Sequence, residues 1–171
     1  RMGEINKLAE KIQAPVIGCD VSNGDDVENL IAKSMEHFGG GFDFILHSIG
    51  MSLNVRKGKH YTEIDYTHNL KTLEISSMSL HRVLASCMKH DALNEWGSVI
   101  ALSYIAAQRI FPDYNEMADA KALLESVARS FGYHYGARKH VRINTISQSP
   151  TRTTAGSGVK GFDGFINYAE K

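Results

Sequence analysis

Cysteine is scarce in this sequence: Cys19 and Cys87 stand alone, in apolar surroundings and at no motif spacing. A disulfide framework needs more, so a reducing, cytoplasmic compartment is expected. Net charge is absent, because nineteen basic and nineteen acidic residues cancel. That removes the electrostatic footprint of a nucleic-acid or anionic-membrane binder. No apolar run approaches the length of a membrane span. The eight histidines show no HExxH and no cysteine pairs with them, so no metal site is expected. His134 and His140 are assigned to the surface. A Walker loop, a GxSxG elbow and a GxGxxG phosphate loop are also missing. A dinucleotide-binding fold would carry the last of these after its first strand. The chain opens at Arg1 with no initiator Met or signal peptide and stops at Lys171, each inside a helical pattern, which reads as an internal piece of a longer protein.

What is present is ordinary for a globular chain: 43% hydrophobic and 22% charged residues over 171 positions, enough for one domain with a core. Residues 2–12 have a helical spacing of Ile5, Leu8 and Ile12, broken by Pro15. Val16–Cys19 reads as a short buried strand. Asp25 and Glu28 resemble a capping box opening a helix with Val27, Leu30, Ile31 and Phe38 as its stripe, stopped by Gly39-Gly40-Gly41. Phe42–Ile49 is a second buried strand, followed by a polar and basic loop over 51–64. A long helix is expected over 66–90, with Leu70, Leu73, Leu80, Leu84 and Met88 inward. Gly97 introduces a third strand, Ser98–Ser103; a helix follows over 114–136, then a fourth strand, Val141–Ser147. Met117, Ala120, Leu124, Val127 and Phe131 form the core face of that last helix. Pro150 forces a turn, and the Thr-, Gly- and Ser-rich segment 151–166 is expected to be mobile.

Strands alternating with helices of this length imply an α/β fold: a Rossmann-type, doubly wound parallel sheet with helices on both faces. Ligands in such sheets sit outside the carboxyl ends of the strands. The polar features gather there. Asp20-Val21 can hold an adenine edge or cap the next helix. Ser48-Ile49-Gly50 can let a ligand approach the backbone or merely turn the chain. Thr151–Ala155 can supply hydroxyls and N–H groups to a pyrophosphate or an amide, or form a solvated loop.

The stretch Ser103–Lys121 places Tyr104 and Tyr114 ten residues apart, with Lys121 seven beyond the second. On one helix, Tyr114 and Lys121 would leave the same face about 10 Å apart, a span suited to a ligand lying along the axis. A tyrosine can donate a proton or hydrogen bond to a carbonyl, and a nearby cation eases its ionisation. The alternatives are a surface lysine, a half-buried tyrosine, and Tyr104 as an aromatic lid.

The segments HSIG (47–50), LSYIAAQRIFPDYNEMADAK (102–121), VRINTIS (141–147) and PTRTTAGSGVKGF (150–162) resemble the NADH-dependent bacterial enoyl-acyl carrier protein reductases. These form a divergent branch of the short-chain dehydrogenase/reductase superfamily, and QSPT (148–151) is similar to versions in Bacteroidetes-type bacteria. The resemblance covers essentially the whole chain. Ordinary ketoreductases place the lysine four residues after the tyrosine; the spacing here marks the enoyl reductase branch.

The resemblance implies a single dinucleotide-binding domain over 1–171, truncated at both ends, whose 151–166 segment is a mobile substrate-binding loop. It implies Tyr104, Tyr114 and Lys121 as catalytic residues, with Lys121 also on the nicotinamide ribose. It implies cofactor contacts at Asp20, Val21, Ser48, Ile49, Gly50, Leu102, Thr151, Arg152, Thr153, Thr154 and Ala155, and a substrate contact at Ser52. Gln148-Ser149-Pro150 replaces the Ala-Gly-Pro of many members at the pocket floor. The implied activity is reduction of a trans-2-enoyl thioester on acyl carrier protein, in fatty acid synthesis, with NAD(H) as cofactor and NADPH left open. A cytoplasmic homotetramer is implied, with the 66–90 and 114–136 helices as the dimer-forming pair. Two alternatives stand beside this. One is a catalytically silent piece that serves only as an assembly or binding surface, favoured by the missing phosphate loop. The other is a carbonyl reductase of the same superfamily. The chain by itself is expected to be inactive or nearly so.

Overall fold

The computed structural model describes residues 2–111, 114–151, 164 and 166, and within it three strands form one parallel sheet. These are β1 (Phe42–His47), β2 (Leu93–Ser103) and β3 (Arg142–Ser147), in the spatial order β1-β2-β3. Parallel neighbours need long crossovers. From β1 to β2 the chain runs through α3 (Leu53–Arg56), α4 (Tyr66–Leu73), a π turn (Glu74–Met78) and α5 (Ser79–Lys89); from β2 to β3 it runs through α6 (Met117–Lys139). Two helices precede β1: α1 (Met2–Ile12) and α2 (Gly24–Phe38).

Register decides what each sheet face buries. Ile45, Val99 and Ile143 lie in one row, and His47, Ala101 and Thr145 in the next row on the same face. That face meets Val27 and Ile31 of α2, Leu80, Val83 and Leu84 of α5, and Leu124 and Val127 of α6. Each large side chain buried there contributes about 1.5–3 kcal/mol of transfer free energy. The rows on the other face, Leu46-Ile100-Asn144 and Leu102-Ile146, meet no comparable layer among the described residues: Leu46 is 55% and Ile146 46% exposed. The parallel Rossmann-type sheet is as expected, and among the described residues its helices pack on one face.

Several local expectations need correction. Val16–Cys19 forms no strand; a strand requires a hydrogen-bonded neighbour, and none lies beside it among the described residues. The preceding α1 exposes its whole stripe, with Leu8 64% and Ile12 67% accessible. Asp25 is not a capping residue. Asn23 takes that place, accepting from the N–H groups of Asp25 and Asp26 at 2.9 and 3.4 Å, while Glu28 pairs with Lys89 and His90. Gly39 ends α2 in the left-handed region, as a C-cap glycine should, and Phe38 is exposed rather than in the stripe. The 66–90 helix is interrupted by the π turn. One extra residue in that turn rotates the faces out of phase, so Leu70 points to solvent while Leu80 and Leu84 are fully buried. β2 begins at Leu93, five residues before Ser98, with an irregularity opposite Phe42–Phe44. A Cβ at Gly97 would sit 3.0 Å from the Asn94 carbonyl oxygen, which explains the glycine. The last long helix starts at Met117, so Tyr114 precedes it. His134 and His140 are exposed, as expected.

Candidate active site

A cavity of about 270 Å³ opens at the carboxyl ends of all three strands. Ser48, Ile49 and Gly50 enter it from the end of β1, Leu102, Ser103 and Tyr104 from β2, and Gln148 to Thr151 from β3. Tyr114, Met117 and Lys121 close one side, and Met51, Ser52, Val55 and Arg56 another.

The tyrosine–lysine pair reaches the cavity by a different route from the one its spacing suggests. Tyr114 sits in the turn before α6, and the next residue, Asn115, is left-handed at φ 50°. Asn115 is buried, its Nδ2 donates to the Lys59 carbonyl at 2.7 Å, and its Oδ1 accepts from the Glu116 N–H at 2.7 Å. A side-chain amide that bonds locally makes αL tolerable for a non-glycine residue. The turn, not a shared helix face, aims Tyr114. Its ring lies 4.8 Å from that of Tyr104, which also packs 5.2 Å from Phe111. Burial, with Tyr104 as a lesser cause, pushes the Tyr114 hydroxyl well above its ordinary range. Burial likewise raises Tyr104. With its pKa raised, Tyr114 stays a protonated donor at neutral pH.

Lys121 is 6% exposed, and its Nζ donates to the Leu102 carbonyl at 2.6 Å. Burial lowers its pKa to about 8. It remains mostly cationic at neutral pH, anchored to the end of β2 at the cavity wall. A Cβ at Gly50 would stand 2.9 Å from Met117 Cε and 4.0 Å from Lys121 Nζ. The Met117 methyl packs against this glycine, so a side chain at position 50 would have to displace the methionine beside the lysine.

The π turn holds this arrangement from behind. Ser76 Oγ accepts from the Met51 N–H at 3.0 Å and donates to the Met51 carbonyl at 3.1 Å. Ser77 Oγ donates to the Ala120 carbonyl at 2.6 Å. Below Ser48, His47 is buried, and its Nε2 lies 2.9 Å from Ser79 Oγ. Ser79 gives its one proton to the Ile75 carbonyl at 2.6 Å, so His47 carries its proton on Nε2. Burial, with Lys121 as a second cause, lowers the His47 pKa to about 4.

Ser48, Ile49, Gly50, Ser52, Leu102, Tyr104, Tyr114, Lys121 and Thr151 thus meet at one cavity. Asp20 and Val21 do not line it. Asp20 accepts from the Ser22 N–H and hydroxyl at 2.8 and 2.7 Å, and the Val21 carbonyl accepts from Arg82 at 3.3 Å. Arg152, Thr153, Thr154 and Ala155 lie outside the described residues, as does most of the 151–166 segment. Glu116, Asn115 and the Ser76-Ser77 pair were missed by sequence reasoning. Polar residues at inward positions of a helical pattern were the available signal.

The family model described as Enoyl-(Acyl carrier protein) reductase matches residues 1–171. The enoyl-[acyl-carrier-protein] reductase [NADH] FabI of Rickettsia bellii is 34% identical over 170 residues, covering 95% of this chain and 63% of the relative. The Escherichia coli FabI of the same name is 30% identical over 170 residues, covering 98% and 63%. Among solved structures, the FabI–NADH complex from Alistipes finegoldii superposes with a TM-score of 0.95 at 62% identity, covering 97% of this chain and 59% of that one. The chain therefore spans about three fifths of the length of these relatives.

Proposed function

Because this chain belongs to the enoyl-(acyl carrier protein) reductase family, we propose that the protein carrying it reduces trans-2-enoyl thioesters on acyl carrier protein, using NADH, in bacterial fatty acid synthesis. The observation that carries the reading is the convergence of Tyr104, Tyr114 and Lys121 on one cavity at the strand carboxyl ends. The cavity that these residues line has a volume of about 270 Å³ and includes Gly50 and the Lys121 ammonium in its wall. The residues fit a dinucleotide: Lys121 would hold the nicotinamide ribose, with Ser48, Ile49, Gly50, Leu102 and Thr151 around the ring. Asp20 and Val21 are assigned to the adenine end, and Arg152, Thr153, Thr154 and Ala155 to the pyrophosphate and nicotinamide. When bound, the nicotinamide supplies a hydride to C3 of the enoyl thioester.

This chain's own residues do the rest by placement and charge. Negative charge gathers on the thioester oxygen as C3 is reduced. A Tyr114 hydroxyl held protonated by burial donates to that oxygen and stabilises it. Tyr104, packed at a tilt against Tyr114, fixes its ring. Lys121, tied to the Leu102 carbonyl, keeps a cation at the wall and would restrict the rotation of the ribose it holds. The same reading assigns a cytoplasmic homotetramer built through α4–α5 and α6, supported by the exposure of Tyr66, Leu70 and Tyr133 on those helices. It assigns the 151–166 segment to substrate binding.

The test follows NADH oxidation with crotonyl thioester by the protein that carries this chain. Turnover is expected, and it should fall about 100-fold in Tyr114→Phe. Turnover of ketoacyl but not enoyl thioesters would assign a carbonyl reductase instead. No turnover of either would leave the assembly-surface reading.

A further inference from the structure

Glu116 is an acid with no place in the reaction just described. It is fully buried, two residues from Tyr114 and directly before Met117 of the cavity wall. No lysine, arginine or histidine among the described residues pairs with it. Its Oε1 receives the Ser52 hydroxyl proton at 2.6 Å and lies 3.2 Å from Thr72 Oγ1, while Oε2 has no hydrogen-bond partner among the described residues. A buried carboxyl group with so little compensation destabilises the fold, so it calls for an explanation.

Ser52 supplies one. It lines the cavity on the wall shared with Val55 and Arg56. Its oxygen accepts from the Val55 N–H at 3.0 Å, capping α3, and its only proton goes to Glu116. A hydroxyl has one donor and two acceptor sites. With the proton committed, Ser52 can offer the cavity a lone pair and nothing else. A carbonyl oxygen gains no hydrogen bond there and is repelled by that lone pair. If Glu116 did not take the proton, Ser52 could turn it toward the cavity and compete with Tyr114 for the carbonyl.

We propose that Glu116 is a positioning residue for the thioester. By holding the Ser52 proton it makes that wall acceptor-only, so that the tyrosine side alone donates to the carbonyl oxygen. The inference rests on the enoyl reductase reading and concerns the same cavity. It predicts a misoriented but bound substrate when Glu116 cannot accept, which affects kcat more than KM.

The experiment compares parent, Glu116→Gln, Glu116→Met, Glu116→Leu, Ser52→Ala and the double variants Ser52→Ala with Glu116→Met or Glu116→Leu, in the full-length protein. Each is measured for kcat and KM with crotonyl thioester and for thermal midpoint. Two apolar replacements are used so that a folding failure of one leaves the other. Parental turnover is the precondition; its absence would sink the enoyl reductase reading rather than this one. Glu116→Met or Glu116→Leu should lower kcat about tenfold, with KM within twofold. Glu116→Gln, which keeps an acceptor for Ser52, should stay within threefold of parent. Removing the competing hydroxyl should rescue the apolar variants, bringing each double variant to within threefold of Ser52→Ala. A double variant as slow as its Glu116 parent, a Glu116→Gln as slow as Glu116→Met, or an unchanged kcat in the apolar variants would each overturn the proposal. A merely structural role would lower the thermal midpoint and show no such rescue.

Discussion

The carboxyl ends of the strands and the N-terminal arm are built from similar residues with opposite results. Around the cavity, polar side chains are buried and bonded: Ser76 to Met51, Ser77 to Ala120, Asn115 to Lys59, Lys121 to Leu102. In the arm, the apolar stripe of α1 faces solvent and Val16–Cys19 joins no strand ladder among the described residues. The cavity end is thus organised by contacts made within this chain. The Asp20-Val21 corner of the arm is held by bonds to Ser22 and Asp26 and by the distant Arg82 of α5, with Cys19 packed against the core. Pre-organisation is greatest around the cavity, where the proposed chemistry would take place.

Breaking the strong side should produce the largest effect. Lys121→Met is expected to lower kcat/KM about 1,000-fold, because it removes both a buried cation and the tie to β2. Steady-state kinetics with NADH and crotonyl thioester checks it. Asp20→Ala, on the weak side, should raise the KM for NADH only about fivefold and leave kcat within twofold. Equal losses from the two substitutions would erase the distinction.

Stability sharpens the same contrast. Leu84 is fully buried between α5 and the sheet, so Leu84→Ala should destabilise by about 2–5 kcal/mol in denaturant titration. Leu8→Ser on the exposed stripe of α1 should change stability by less than about 0.5 kcal/mol in this chain. A large loss at Leu8 would mean that the arm is packed in solution.

Titration offers a smaller and more local probe. His47 is held neutral in the fold, with a pKa lowered to about 4 from 6.5. As pH falls below about 6.5 the unfolded chain takes up this proton first, so stability declines until about pH 4 and then levels. The contribution is on the order of 3 kcal/mol, and His47→Gln should flatten that part of the pH–stability curve. Lys121 titrates on the other side. Its cation is lost as pH rises through about 8, so the KM for NADH should climb above that pH. Between about pH 8 and 10.5 the unfolded chain binds the proton more readily, so this group adds stability as pH rises.

Much of this was legible in the sequence because periodicity reports burial. The stripes through Leu80, Leu84, Leu124 and Val127 follow from it directly, and the strands expected at 42–49 and 141–147 form at 42–47 and 142–147, though β1 buries only His47 rather than its whole length. The residues Ser48, Gly50, Tyr104, Tyr114 and Lys121 were picked out by their positions at strand ends and by motif. What escaped was set by tertiary bonding. A strand at Val16–Cys19 depends on a neighbour that the local pattern cannot supply. The π turn at Glu74–Met78 changes phase without changing composition, and its serines become inward anchors. The left-handed Asn115 places Tyr114 outside the helix that its spacing to Lys121 suggested. Glu116 is buried by partners 64 and 44 residues away, a relation no window of sequence contains.

The most direct measurement of the central claim is the destination of the hydride. The protein carrying this chain is given NADH deuterated at the transferring position and crotonyl thioester, and the product is analysed by mass spectrometry and NMR. The account predicts a saturated butyryl thioester with deuterium on C3 and none on the carbonyl carbon, formed far more slowly by Tyr114→Phe. Deuterium on the carbonyl carbon, or an undiminished rate in Tyr114→Phe, would contradict it.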